Sequence, residues 1–486
     1  MTLTKRIIAG AFAAVFCLGM ASCGSTDKDS SGSDAAASES KAEAQAIELD
    51  DTQKETVGAL ADQLPEIELQ KKTIKFIGHW DINPGDGQVV PPYLQLFKDK
   101  YQGEVEWVET TWDTRYDDII SHVLSKDSPD FFSAMDSDGF PKGALKGIFQ
   151  PVDDYIDFSS DLWSDDAVKK AVEMFTFNGK HYVAATGSSP NLICIYNTKT
   201  IKDNGMEDPA QLYKDGNWNW AKFKEMCEKF TAIGDDYYGL DGWWYEQGIA
   251  NTVGVPLVSL DESGKAVSNM DNGDVAKAQN FLTELEQAKV YFPRESNGGN
   301  PRGSGATGEG MAEGKTLFYP CGFWGIENTP ESTALWGDVK AGDIMFVPMP
   351  RPDDGYPYWV DARLDNGYFL IKNAPNPEGF AAFMACLKVA ASDPSAKQVA
   401  TDQLKNSYGW NDEMINMKQE ILDLCAANPV FDFKDGVSNE VSDLMNKIKV
   451  ATMNGSDAME WNDVVSEYND KVNYELKKAN EQIPEV

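Results

Sequence analysis

Tryptophans accompanied by carboxylates and amides stand at several points where the chain shows no helical or strand periodicity. Trp80 is followed by Asp81 and a Pro84-Gly85 turn, Trp112 precedes a helical stretch, and Trp324 lies near Glu327 and Asn328. The run Gly242-Trp243-Trp244-Tyr245 places rings on both faces of an extended chain, so at least one of the three points away from a core. Flat apolar rings match the C–H faces of pyranose sugars, whereas carboxylates, amides and arginines such as Arg363 match hydroxyls in vicinal pairs. This chemistry favours a carbohydrate ligand. Trp218-Asn219-Trp220 reads differently: Asn219 caps the helix that follows and Trp218 packs on Phe223 as a staple, a structural role.

Other chemistries lack their patterns. Gly308 to Thr316 superficially resembles a phosphate-binding loop, but Glu309 stands where the required glycine belongs and its charge opposes a phosphate. Asp136-Ser137-Asp138-Gly139 hints at a calcium loop that Phe140 and Pro141 interrupt. Adjacent acids such as Asp117 with Asp118 and Asp153 with Asp154 are common by chance among 78 acidic residues, and no Gly-x-Ser-x-Gly elbow occurs. The three histidines, His79, His122 and His181, form no His-Glu-x-x-His, and the five cysteines after residue 23 are far apart and set in apolar runs, as buried free thiols are. The sequence offers no catalytic signal, metal site or cofactor motif.

The charge balance, 43 Lys+Arg against 78 Asp+Glu for a net −35, repels a phosphate backbone and excludes nucleic acid as a partner. Hydrophobic content of 42% with 11% aromatics is too rich for a disordered chain, and 25% charged residues is too many for a multi-span membrane protein. The first residues are different. Lys5 and Arg6 precede an apolar run over 7–20, shorter than the roughly 20 residues that span a bilayer. It ends in Leu18-Gly19-Met20-Ala21-Ser22-Cys23, which resembles a bacterial lipobox and predicts a signal peptide over 1–22 with Cys23 acylated. Residues 24–46 carry no side chain able to nucleate a core and read as a tether of about 25–30 Å r.m.s. reach. The expected location is the outer face of the bacterial cytoplasmic membrane, held by that lipid.

The elements that must position these residues begin with a strand over 73–78, a helix over 92–101, a strand over 105–108, a helix over 116–125 and a short buried strand over 129–132. This alternation predicts a parallel α/β sheet covered on both faces, with ligands at the carboxyl ends of its strands. Helical periodicity dominates later, over 274–289, 377–392, 411–427, 437–453 and 461–479, and the glycine-dense 297–314 reads as a surface loop.

Several segments together resemble the extracellular solute-binding proteins of carbohydrate ABC transporters, the family 1 group that includes maltose-type binding proteins. They are Ser128-Pro129-Asp130, Gly147 to Ile156, Gly179-Lys180-His181-Tyr182 leading to Ile195-Tyr196-Asn197-Thr198, Met311 to Trp324, and Val347-Pro348-Met349-Pro350. The resemblance implies an α/β, two-lobe, periplasmic-binding-protein-like class II fold, with a hinge between the lobes and a helical C-terminal segment. It puts lobe 1 at 71–186 plus 351–405 and lobe 2 at 187–350 plus 406–486, after a tether and lead-in over 23–70. Crossings near 184–189 and 348–351 would join the lobes. Trp80 and Asp81, Asp136 and Asp138, and Trp324 match the family's ligand positions, and Trp244 aligns loosely. With Trp112, Trp243, Tyr245 and Arg363 they form the expected ligand-binding set. Two departures stand out: Ala184-Ala185-Thr186 replaces the usual proline, and 437–446 lacks the expected aromatic. The implied partners are an oligosaccharide, the permease subunits of an importer, and the membrane through Cys23, with the protein a monomer that does no catalysis. A surface glycoside hydrolase and a non-transport glycan adhesin are the alternatives.

Overall fold

The computed structural model describes residues 46–242, 244–294, 301–302, 310–453 and 458–483. The expected export signal, Cys23, Trp243 and most of the glycine-dense stretch lie outside the described residues.

One sheet orders its strands Glu104–Glu109, Thr73–Gly78, Phe131–Ser133, Gly367–Ile371 and Phe149–Gln150, with Val183–Ala185 also paired to Gly367–Ile371. The first three are parallel, in register Thr73 with Glu104 and Phe76 with Phe131. Gly367–Ile371 runs against them, pairing Phe369 with Phe132, so the sheet is mixed where the sequence predicted a parallel one. The reason is topological: that strand arrives from the second lobe and enters from the opposite end. Ile74, Phe76 and Ile77 have no exposed surface, as expected of a strand covered on both faces. Helix Pro377–Ser392 covers one face, burying Phe380, Phe383 and Met384 against the sheet.

Buried Asp130 clips this helix to the sheet. One carboxylate oxygen accepts from Lys75 N at 2.8 Å and the other from Asn376 N at 2.6 Å, while Asn376 in turn caps the helix at Gly379 N. The Pro-Asp step thus has a local physical purpose. It satisfies backbone donors that burial would otherwise leave unpaired.

The second lobe contains the sheet Tyr238–Leu240, Thr316–Cys321, Ile193–Asn197 and Ile344–Val347, parallel only in its first pair. Helix Trp220–Thr231 packs on it as the sequence indicated: Asn219 Oδ1 accepts from Lys222 N at 3.1 Å, and the Trp218 and Phe223 rings meet at 5.9 Å. Asn219→Ala is expected to cost about 1 kcal/mol in urea unfolding, the usual worth of such a cap.

Helices Asn439–Thr452 and Trp461–Asn480 close a third apolar cluster with the hairpin Val258–Leu260 and Ala266–Ser268 and helix Gly273–Ala288. No described helix is long and apolar enough to cross a membrane.

Three short strands join the lobes. Val360–Arg363 lies between Ser189–Pro190, which it meets antiparallel, and Pro429–Val430, which it meets in parallel. Ser189–Pro190 lies in the chain between Val183–Ala185 of the first sheet and Ile193–Asn197 of the second. The second crossing comes later than 348–351, because Arg351 is still tied to lobe 2 through Gly216 O at 2.6 Å. The third, at Pro429–Val430, returns Phe431 and Phe433 to the first core. Leu49, Val57, Leu60, Leu64 and Leu69 also belong to that core, so from Leu49 the lead-in is part of the first lobe.

Candidate functional site

The carboxyl end of strand Thr73–Gly78 delivers His79 and Trp80. Gly78 is required there, since a Cβ would sit 2.6 Å from the Phe76 ring. Trp80 stands edge-on to Phe76 at 5.4 Å, and His79 meets Trp80 at 4.6 Å and Trp112 at 5.1 Å, both edge-on. Burial above all, then Arg115 and also Arg363, lowers the His79 pKa to about 4 against the pull of Asp138, so the ring is neutral at physiological pH. Arg115, the first residue of helix Arg115–Ser125, stacks 3.7 Å over the Trp112 ring. Its guanidinium donates to Trp112 O and Asp138 Oδ2, and the Tyr116 hydroxyl donates to Asp138 Oδ1. Asp138 is therefore held on both oxygens.

Asp136 is the contrasting neighbour. It is exposed and makes no hydrogen bond or ion pair among the described residues. Although the residue has exposed surface, desolvation by the protein around its carboxyl is the largest cause raising its pKa to about 6, with Asp138 and Asp365 adding and Arg363 and Arg115 opposing. Asp81 is also exposed, and its Oδ1 accepts from Asn83 N at 2.9 Å and Asn83 Nδ2 at 2.8 Å, forming a local turn.

Two further tryptophans of the expected set belong to the second lobe. Trp324 lies in the short 3-10 turn Phe323–Gly325 after strand Thr316–Cys321, and Trp244 precedes helix Tyr245–Ala250. They are 39% and 40% exposed, with ring centroids 6.4 Å apart at 76°, so together they offer two faces nearly at right angles. Two glycines make this possible. A Cβ on Gly322 would lie 2.5 Å from the Trp324 ring, and Gly242 holds φ +118° where a Cβ would come 3.0 Å from Pro320 O. Tyr245, by contrast, is 3% exposed and stacks in the core on Tyr291 at 6.3 Å. Glu327 and Asn328 have partners of their own: Lys418 pairs with Glu327, and Asn328 Oδ1 accepts from Thr329 N at 2.8 Å.

Arg363 ends the hinge strand Val360–Arg363. Its Nε donates to Asp365 at 2.5 Å, Nη1 reaches Asn191 Oδ1 at 3.5 Å and Nη2 reaches Met135 Sδ at 3.3 Å. The Asn191 carbonyl is 3.1 Å from where a Gly322 Cβ would be. Trp80, Trp112 and Asp138 are thus gathered around His79 and Arg115, Arg363 reaches Met135 beside Asp136, and Trp244 and Trp324 form a separate pair. Asp81 is exposed, Tyr245 is buried, and Trp243 is outside the described residues.

His79, Arg115, Tyr116 and Asn191 join this group without having been singled out in the sequence. Arg115 carried a signal, because a cation in the first turn of a helix opposes the helix dipole and needs a compensating partner. Two surface pockets lie elsewhere, one between helices Asn439–Thr452 and Trp461–Asn480 and one at the amino end of strand Thr73–Gly78, and neither includes any of these residues. Among the described residues no group of three or more His, Cys, Asp and Glu is placed to hold a metal ion.

The arrangement has a pH signature. If a ligand hydroxyl donates to Asp136, it favours the ionised form and lowers its pKa below 6, so that binding would be undisturbed above that pH and would have to release a proton below it. Affinity is expected to fall about tenfold from pH 7 to pH 5 in a calorimetric titration, and Asp136→Asn to flatten the profile.

The sequence matches the family described as bacterial extracellular solute-binding protein over residues 84–393, more than half of the chain. The chain belongs to this family. No curated protein matches the sequence. Among solved structures, this solute-binding protein resembles the ABC substrate-binding protein of Listeria monocytogenes in complex with cycloalternan, at TM-score 0.58 and 15% identity over 84% of this chain and 99% of that one. It resembles the ABC transporter-associated binding protein of B. animalis subsp. lactis Bl-04 in complex with beta-1,6-galactobiose, at TM-score 0.58 and 17% identity over 84% and 98%. The sugar-binding protein of Xanthomonas citri matches at TM-score 0.57 and 14% identity over 84% and 98%. At these identities the likeness is one of fold. It is the two-lobe, mixed α/β architecture with a helical C-terminal segment.

Proposed function

We propose that this solute-binding protein takes a carbohydrate, an oligosaccharide, into the cleft between its lobes and delivers it unchanged to the membrane subunits of an ABC importer. The observation that carries this reading is the exposed pair Trp244 and Trp324, with ring planes 76° apart, together with the carboxylate of Asp136, which makes no hydrogen bond among the described residues. Exposed aromatic faces desolvate sugar C–H surfaces, and a free carboxylate accepts from two vicinal hydroxyls. Asp138 and Trp112, fixed by Arg115, give further polar and flat surface without ordering cost on binding. The ligands named for the similar structures, cycloalternan and beta-1,6-galactobiose, agree with this class of solute.

Closure follows from the same geometry. A sugar touching both walls stabilises the closed arrangement only through its contacts to both, and three short hinge strands are the elements that would bend. Acylation at Cys23 would keep the protein at the membrane surface while the tether leaves the lobes free to meet the permease.

A thermal-shift screen of residues 23–486 carrying Cys23→Ser, against neutral mono- and oligosaccharides and with chromatography of each mixture afterwards, tests the reading. A raised midpoint with the sugar recovered intact supports it. Shortened sugars would make the protein a hydrolase, and no shift with any sugar would remove the carbohydrate assignment.

A further inference from the structure

The hinge strand Val360–Arg363 carries a buried acid that none of the cleft contacts uses. Asp361 is 2% exposed, and among the described residues no cation forms an ion pair with its carboxylate, Lys434 acting on it only at longer range. Three amides surround it instead: Asn191 Nδ2 donates at 2.7 Å, Asn251 Nδ2 at 2.6 Å, and Gln247 Nε2 lies 3.3 Å from both oxygens. The Asp361 backbone carbonyl also accepts from Asn191 N at 2.8 Å. Gln247 Oε1 meets Lys434 Nζ at 3.4 Å, Lys434 pairs with Asp435, and the Asp435 carbonyl accepts from Lys142 Nζ of the first lobe at 3.0 Å.

Each partner of Asp361 leads to a wall of the cleft. Gln247 and Asn251 belong to or directly follow helix Tyr245–Ala250, whose preceding residue is Trp244. Asn191 offers its amide nitrogens to Asp361 and its Oδ1 to Arg363, so the acid decides which way that side chain faces. A buried carboxylate cannot give up these donors cheaply, since each lost bond leaves a desolvated polar group. In this arrangement both carboxylate oxygens and all three amides are hydrogen-bonded.

We propose that Asp361 is the positioning residue of the hinge: through Asn191, Gln247 and Asn251 its carboxylate fixes the angle between the lobes and the seating of Trp244 and Arg363 in the cleft. This rests on the reading that the cleft between the lobes holds the solute. Its test contains no sugar, so it fails or succeeds separately from that reading.

Spin labels at Leu124→Cys and Ile233→Cys, exposed positions on the first and second lobes, report the distance between lobes by pulsed electron resonance. The five cysteines of the folded chain are buried, which leaves them unlabelled. In residues 23–486 with Cys23→Ser, the parent should give one narrow distance distribution. Asp361→Asn and, separately, Gln247→Leu should each broaden it about twofold, with no further broadening when combined, the mark of one shared network. Gln247→Leu carries the test if Asp361→Asn fails to fold. A parent-like width in Gln247→Leu, or independent and additive broadening, would overturn the proposal, even if thermal stability fell.

Discussion

Trp324→Ala should weaken oligosaccharide binding by about 2 kcal/mol, about thirtyfold in Kd, with little change in unfolding midpoint. The asymmetry follows from where the ring sits. Its surface is 39% exposed in the free protein, so the fold loses little packing, whereas a stacked sugar would lose the full face of the indole. Trp244 meets it edge-on at 6.4 Å, and Trp244→Ala should weaken binding in the same direction. The double variant should lose less than the sum, because each ring helps to seat the other. Calorimetric titration measures this, and unchanged affinity in Trp324→Ala would remove that ring from the site.

Arg115→Met is expected to act on fold and site together. The Arg115 and Asp138 side chains are only 9% and 18% exposed, and removing one partner of such a pair leaves the other charge without compensation. Unfolding stability should fall by about 3 kcal/mol. Binding should weaken as well, since the same guanidinium holds the Trp112 ring at 3.7 Å and the Trp112 carbonyl. Adding Asp138→Asn should recover part of the stability while binding stays impaired, because a neutral amide needs no cation but no longer offers a carboxylate. Urea unfolding of both variants checks this, and a loss below about 1 kcal/mol in Arg115→Met would show that the pair contributes no more than a surface one.

How far the sequence alone carried these conclusions differs from element to element. Helix Pro377–Ser392 matches its sequence expectation, because its apolar positions, its proline at the first turn and the Asn376 cap all agree. Helix Asp412–Ala427 starts one residue inside its expected limit, since Asn411 is the cap and not the first helical residue. Strand Gly367–Ile371 and the hinge strand Val360–Arg363 were not legible. They are only five and four residues long, and their direction and neighbours are set by contacts distant in sequence.

The cleft shows the same division. Tryptophans outside regular elements drew attention to Trp80, Trp112, Trp244 and Trp324. Local pattern could not distinguish Trp244 from Tyr245, because the sense of the turn depends on the positive φ of Gly242 and the room left beside Pro320. Nor could it reach Asp361, whose three amide donors come from residues 170, 114 and 110 positions away. Tertiary hydrogen bonding of that span leaves no periodic trace.

The central claim is that one solute touches both walls at once. Hydrogen–deuterium exchange of the protein with and without the sugar that raises its melting midpoint most would test it directly. The account predicts protection in one titration over 79–83, 111–116 and 135–138 on the first wall and over 244–251 and 322–326 on the second, together with the hinge strand. Protection confined to one wall, or none in the cleft while the sugar still stabilises the protein, would contradict it.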